Sequence, residues 1–395
     1  MGIFRNGLAP FAFLLLAALV SQKLSAQGPG QGLPREIVYR PQQLAQGRID
    51  LVGGIPLLQV RGTPQEMGEA AGILGLRQAT GILEYPRNLA RAFGAELLFP
   101  ILLKTGEGMV KNFPPAYQEE LRAIHKSSGA PWETLVAGNT MFDLKKFVLC
   151  SGMAFEPGRT SFAKGTVLAR NLDYPPVGQI HKYSLVTIYR PEGKRPFVSV
   201  GFPGLVGVLS GMNDAGLALA IHEVIDIKKG QKRFDAEGIP YALTYRMVLE
   251  ECSTIDDAVK LLGRLKKTCT TNLLIADKKQ VAVLEISPDK ILVRPAVQGT
   301  VCCANHFCLA EHKPDEPLNP FDSFERQEFL EGCQRQGPFS VEQIRQSLDT
   351  VKLGRQTLQT MVFDTEALGL WVSFSGPPSS AGPLIRLDLA NALKR

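Results

Sequence analysis

FVLCSGMAF (147–155), followed by GTVLARNLDY (165–174), is where the chain changes character. Upstream, from about 64 to 146, the pattern is helical. TPQEMGEAAGIL offers a Thr cap, a Pro in the first turn and an acid three residues past the cap. Downstream, short runs rich in Val, Ile, Leu and Phe alternate with Gly and Pro, as in a succession of strands. Cys150 closes the first of these apolar runs, and Arg170 and Asp173 sit on the next.

Further on, IPYALTYRMVLEECS and TIDDAVKLLGRLKK read as helices. NLLIAD, VAVLEIS, KILVRPA and TVCCAN read as strands. Helices near SFERQEFLEGC and SVEQIRQSLD precede closing strands. Helices, strands, helices, strands is an α+β order with antiparallel sheets, without the alternation of a doubly wound sheet.

The 395 residues are 45% hydrophobic and 21% charged, an ordinary globular balance with enough chain for a large core. The net charge of +6 is dispersed. KKGQKR (228–233) and RLKK (264–267) read as solvated surface, without interleaved aromatics or a nucleic-acid-binding motif, so no nucleic-acid partner is expected. Residues 1–26 read as a signal peptide, with Arg5, the apolar run APFAFLLLAALV and small residues before Gln27. The product is expected to be exported, periplasmic or secreted. No later stretch is apolar enough for a membrane helix, and the lack of an Asn-x-Ser/Thr sequon leans toward a bacterial envelope.

Seven cysteines occur in the chain. Setting Cys150 aside leaves six, either paired as disulfides or buried and reduced. CCANHFCLAEH (302–312) invites a metal site from Cys303, His306, Cys308 and His312, but its spacing is poor for zinc. Neither a metal nor an organic cofactor is expected.

Taken alone, Cys150 reads as a core thiol. Its surroundings favour a nucleophile. Ser151 and Gly152 leave room beside it, and a hairpin of about twenty residues brings Arg170 and Asp173 alongside. A neighbouring guanidinium lowers a thiol's pKa. If the Leu149–Cys150 bond is cut, the freed α-amine, with a reference pKa of roughly 7.7–8.0, becomes a general base within the same residue. No histidine is then required nearby.

CSGMAF…GTVLARNLDYP resembles the cysteine branch of the N-terminal nucleophile hydrolases. It is most similar to the penicillin acyl-coenzyme A:6-aminopenicillanic acid acyltransferase family, and more distantly to choloylglycine hydrolases and acid ceramidase. The likeness continues in order through GMNDAGLALAI (211–221), TNLLIAD…VAVLEISPDKILVR (271–294), ANHF (304–307) and DSFERQEFL (322–330), with VRGTPQEMGEAAG (60–72) upstream. It implies a four-layer αββα sandwich. It also implies a helical pro-segment or α chain (27–149) and a catalytic β chain (150–395). Cys150 becomes the nucleophile, Arg170 supports the thiolate, and Asp173 holds the α-amine. Asn305 donates to the oxyanion, and Arg326 braces the site. Where relatives carry a second polar donor this chain reads AIHEV, which brings His222 to that position or within one residue of it. The implied activity is amide hydrolysis or acyl transfer on a small N-acyl amide through a thioester. The rival is an uncleaved, non-catalytic homologue that binds an acyl ligand.

Overall fold

The computed structural model describes residues 36–144, 149–333 and 337–394. Residues 1–26, read as a signal peptide, and residues 27–35 and 145–148 of the segment read as the α chain lie outside these.

The chain opens with three strands, β1 (Gln42–Leu44), β2 (Gly47–Val52) and β3 (Ile55–Gly62). Helices α1 (Pro64–Leu74), α2 (Tyr85–Ala92), α3 (Phe99–Val110), α4 (Pro115–Ser128) and α5 (Trp132–Leu144) follow. Six strands come next: β4 (Leu149–Phe155), β5 (Val167–Asp173), β6 (Leu185–Pro191), β7 (Phe197–Gly201), β8 (Ser210–Asn213) and β9 (Ala218–Glu223). Helices α6 (Tyr241–Glu251) and α7 (Ile255–Arg264) precede β10 (Thr271–Ala276), β11 (Val281–Ile286), β12 (Ile291–Pro295) and β13 (Thr300–Cys303). The chain closes with α8 (Ser323–Cys333), α9 (Val341–Thr350), β14 (Thr357–Asp364), β15 (Gly369–Ser373) and β16 (Ile385–Asp388).

Ten strands form one sheet in the order β1-β2-β3-β6-β7-β8-β9-β10-β11-β12. Six form the other, β13-β4-β5-β14-β15-β16. Every named pair is antiparallel except β3 with β6. Alternation of side chains across each sheet builds three apolar layers. Leu57, Val186, Val198 and Leu274 of the large sheet meet Ala154, Leu168, Met361 and Phe363 of the small one. The large sheet's other face packs with α1, α4, α6 and α7 through Leu74, Leu121, Leu249 and Leu262. The small sheet's outer face packs with α8 and α9 through Leu330, Ile344 and Leu348. The result is the expected α+β arrangement in four layers, αββα.

Two helix starts form as the sequence suggests. Thr63 caps α1 in a reciprocal box with Glu66, and Thr254 caps α7 with Asp257. The segment 27–149, read as helical, also contains β1–β3. Gly53 and Gly54 turn β2 into β3 with φ of 58° and 82°, the left-handed pair a two-residue hairpin requires. β3 then lies beside β6, so this segment is part of the main sheet. None of the seven cysteines forms a disulfide.

Candidate active site

β4 and β5 are antiparallel neighbours, with Leu149 opposite Asp173, Cys150 opposite Leu172 and Gly152 opposite Arg170. That register explains why residues twenty apart in sequence meet. Arg170 is fully buried, and its Nη2 donates to Cys150 Sγ. Its Nη1 donates to Ser210 Oγ at 2.6 Å and to the Leu209 carbonyl at 3.4 Å, and its Nε donates to the Asn171 carbonyl. The guanidinium is thus fixed from β8 while it faces the thiol.

Asn305 follows β13 by two residues. Its Oδ1 accepts from the Cys150 backbone N–H at 3.0 Å, and its Nδ2 donates to the Glu223 carbonyl at 2.9 Å. Arg326 of α8 joins the same cluster. Its Nη1 donates to the Cys150 carbonyl and to Ser151 Oγ, both at 2.7 Å, and its Nη2 donates to Asn305 Oδ1 at 3.0 Å. Every polar atom of Cys150 is therefore bonded to one of the residues singled out from the sequence.

Asp173 is buried at the end of β5. Its Oδ1 accepts from the Thr357 hydroxyl, while Oδ2 has no hydrogen-bond partner among the described residues. Burial pushes its carboxyl up to about 6, against the Thr357 hydroxyl and the nearby Arg326 and Arg170. Burial likewise pushes the Cys150 thiol up to about 12, opposed by Arg170 and Arg326 and reinforced by Asp173 and Glu223. At neutral pH this thiol is therefore protonated.

His222 is also buried, but neither of its ring nitrogens bonds to a cluster residue. Its Nε2 lies only 2.8 Å from where a Cβ on Gly152 would stand. Nδ1 sits 3.3 Å from the Ala220 carbonyl. A carbonyl only accepts, so Nδ1 carries the hydrogen in that bond and Nε2 holds a lone pair. Nε2 has no hydrogen-bond partner among the described residues. Burial, then the Arg170 charge, holds the imidazole's pKa well below its ordinary value. The ring is a neutral packing partner of Gly152 here. The next residue along β9, Glu223, is the one whose carbonyl meets Asn305. Its Oε1 accepts from the Tyr241 hydroxyl at 2.7 Å. Glu223 and Tyr241 went unnoticed in the sequence. The clue was a carboxylate closing the otherwise apolar strand GLALAIHEV.

Cys303, His306, Cys308 and His312 are employed separately. Cys303 ends β13, His306 Nδ1 pairs with Ser323 Oγ, Cys308 Sγ accepts from Gln327 Nε2, and the His312 ring packs on Phe307. Among the described residues no group of three or more His, Cys, Asp or Glu is arranged to hold a metal. No helix among them is long and apolar enough to cross a membrane.

An apolar cavity of ≈ 60 Å³ is lined by Ile82, Leu135, Gly138, Phe142, Tyr174 and Phe202, among others. Tyr174 directly follows Asp173. Phe142 and Tyr174 belong to the same apolar cluster as Cys150.

With this geometry in hand, the sequence was compared with known proteins. Residues 161–377 match the model of the acyl-coenzyme A:6-aminopenicillanic acid acyl-transferase family. The chain belongs to this family. It thereby falls among the N-terminal nucleophile hydrolases, as the resemblance indicated. An uncharacterized protein of Archaeoglobus fulgidus is 28% identical over 315 residues, 71% of this chain and 51% of that protein. The acyl-coenzyme A:6-aminopenicillanic-acid-acyltransferase 40 kDa form of Emericella nidulans is 25% identical over 279 residues, 67% of this chain and 73% of that one. Acid ceramidase of Mus musculus is 22% identical over 193 residues, 44% of this chain and 47% of that one. The chain thus spans about half the length of the archaeal relative and of the ceramidase. Among solved structures, a Caenorhabditis elegans N-acylethanolamine-hydrolyzing acid amidase ortholog superposes with a TM-score of 0.43 at 14% identity, over 60% of this chain and 100% of that one.

Proposed function

We propose that this acyl-transferase family member is an exported cysteine amidohydrolase or acyltransferase that activates itself by opening Leu149–Cys150. The observation that carries the reading is the threefold hold on Cys150: nitrogen to Asn305, sulfur to Arg170, carbonyl to Arg326. A structural core thiol needs none of these partners. Buried arginines at such a residue are costly unless their charge is used.

In the first stage Cys150 Sγ attacks the Leu149 carbonyl, the amide bond becomes a thioester, and water releases the Leu149 carboxylate. The products are an α chain from 27–149 and a β chain from 150–395. The new α-amine retains Asn305 Oδ1, and the open Oδ2 of Asp173 is the acceptor we assign to a second N–H. In the second stage the α-amine takes the thiol proton and sulfur attacks the carbonyl of an N-acyl amide. We assign Asn305 Nδ2, an N–H donor, to the oxyanion. The amine leaves with the proton, and water or a second amine resolves the thioester. We favour water, because an exported enzyme meets little coenzyme A.

We assign the substrate's acyl side to the apolar cavity bounded by Tyr174, the residue after Asp173. It presents no charged side chain, so it suits an uncharged aliphatic group. At ≈ 60 Å³ it is less than half the roughly 150 Å³ of a cavity that takes benzene, so a short chain fits without movement of the walls. The test is turnover of acyl-7-amino-4-methylcoumarin amides from acetyl to dodecanoyl, beside a Cys150→Ala control. Hydrolysis that requires Cys150 supports the reading. Equal turnover by the control removes it.

A further inference from the structure

The polar cluster around Cys150 does not end at Glu223. Tyr241 is the first residue of α6, where backbone N–H groups have no partner within the helix. Its N–H donates instead to Asp143 Oδ1 at 3.0 Å. The same oxygen accepts from the Thr268 hydroxyl and lies 3.7 Å from Cys269 Sγ. Asp143 sits on the last turn of α5, on the far side of the Leu149–Cys150 bond, and is itself buried. A carboxylate at a helix N-terminus is favourable in charge as well as in hydrogen bonding.

From the other end of the same residue, the Tyr241 hydroxyl donates to Glu223 Oε1, and the Glu223 carbonyl accepts from Asn305 Nδ2. Asn305 Oδ1 then accepts from the Cys150 nitrogen. The Tyr241 phenol is buried, which holds its pKa well above the ordinary value, as does the adjacent Glu223 carboxylate. It is therefore a donor at every working pH. A line of hydrogen bonds, joined through the covalent frames of Tyr241 and Glu223, runs from Asp143 to the nitrogen of Cys150.

We propose that Asp143 and Tyr241 are positioning residues: the pro-segment carboxylate anchors Tyr241, which holds Glu223 and thereby keeps the Asn305 amide turned with its oxygen toward the Cys150 nitrogen. Neither residue touches the reacting atoms. This proposal rests on the reading of Cys150 as a self-released nucleophile. It adds that the α chain stays a working part of the site after cleavage, because Asp143 belongs to one product chain and Tyr241 to the other.

The test uses the full chain with Tyr241→Phe, which keeps the ring and removes only the donor, and with Asp143→Asn and Asp143→Ala. Two rates are measured in each: appearance of the fragment beginning at Cys150, by intact mass, and turnover of the hexanoyl amide of 7-amino-4-methylcoumarin. Loss of one hydrogen bond to a carboxylate, about 1.5 kcal/mol or more, corresponds to roughly a tenfold effect. The expected result is a drop of about that size or more in both rates for Tyr241→Phe, with KM nearly unchanged and the melting temperature close to wild type. In an Asn305→Ala background the same change adds little, since the residue it acts through is gone. Asp143→Asn, which keeps an acceptor oxygen, retains more of both rates than Asp143→Ala. Wild-type rates in Tyr241→Phe, or an undiminished penalty in the Asn305→Ala background, overturn the positioning role while leaving the nucleophile intact. A wild-type chain that never cleaves overturns the underlying reading, and the positioning role with it.

Discussion

The side-chain oxygen of Asn305 lies 3.0 Å from the backbone nitrogen of Cys150, and the side-chain nitrogen of Asn305 is held by Glu223. One amide thus grips the nitrogen that the proposed cleavage would turn into an amine, and its Nδ2 is the donor proposed for the oxyanion. Asn305→Ala is expected to lower kcat by about 10²–10³, the usual loss for one oxyanion donor. It also slows self-cleavage, because the same side chain orients Cys150 beforehand. Single-turnover acylation and the appearance of the Cys150 fragment measure the two effects separately.

Gly152 is opposite Arg170, and a Cβ there would stand 2.8 Å from both His222 Nε2 and Leu274 Cδ2. Gly152→Ala is expected to destabilise the fold by about 1–3 kcal/mol, as overpacking of a dense interior does. Adding His222→Ala restores part of that loss by clearing one of the two clashes. Urea unfolding of both single variants and the pair reads the coupling directly. If His222 supplied an essential donor instead, His222→Ala alone would abolish turnover.

Arg246 of α6 is buried with two carboxylates, Glu120 of α4 and Glu250, and Tyr117 donates to Glu250. The guanidinium also stacks over the Tyr117, Tyr189 and Phe197 rings. Arg246→Leu leaves Glu120 and Glu250 buried without their cation. A loss of about 3–5 kcal/mol is expected in chemical unfolding. Glu120 and Arg246 lie on opposite sides of Leu149–Cys150, so the same variant loosens the two product chains from each other, which size-exclusion chromatography after cleavage detects.

Gly138 faces the apolar cavity from α5, and a Cβ built on it meets no heavy atom within 4 Å. Gly138→Leu is therefore expected to fold while filling the space assigned to the acyl group. In the coumarin-amide series its kcat/KM falls most for the longer acyl chains and least for acetyl. A uniform change across the series contradicts the assignment of this cavity.

His312 is buried against Phe307, and burial pulls its pKa down to about 4. The unfolded chain therefore binds the proton more readily between about pH 6.5 and pH 4. Stability from this residue is complete above pH 6.5 and is lost as pH falls toward 4. Asp173 works in the opposite sense over part of that range, because its carboxyl is raised to about 6 in the fold. The clean comparison is wild type against His312→Phe, whose unfolding free energy is expected to decline less between pH 6.5 and pH 4.

The sequence made the layers and most of the site legible for identifiable reasons. Arg170 and Asp173 were found because a hairpin fixes which residues face Cys150 across two strands. Asn305 and Arg326 were found only through the family resemblance, since 155 and 176 residues separate them from Cys150 and no local periodicity encodes that meeting. β1–β3 were passed over although Gly53-Gly54 between two apolar runs is a hairpin signal. His222 was set near the oxyanion because the resembling family carries a second polar donor where this chain reads AIHEV. Its ring packs on Gly152, and the strand's next residue, Glu223, reaches Asn305 with its carbonyl. Which of two adjacent residues meets a loop from another sheet edge is settled by tertiary register, which a single strand's sequence does not contain.

The most direct test of the account is the intact mass of the purified protein under denaturing, reducing conditions, beside Cys150→Ala. The account predicts two chains in the wild type, the larger beginning at Cys150, and one uncut chain in the variant. A single uncut chain in both, from protein that hydrolyses the coumarin amides, would contradict it, because Cys150 would then have no amine with which to act.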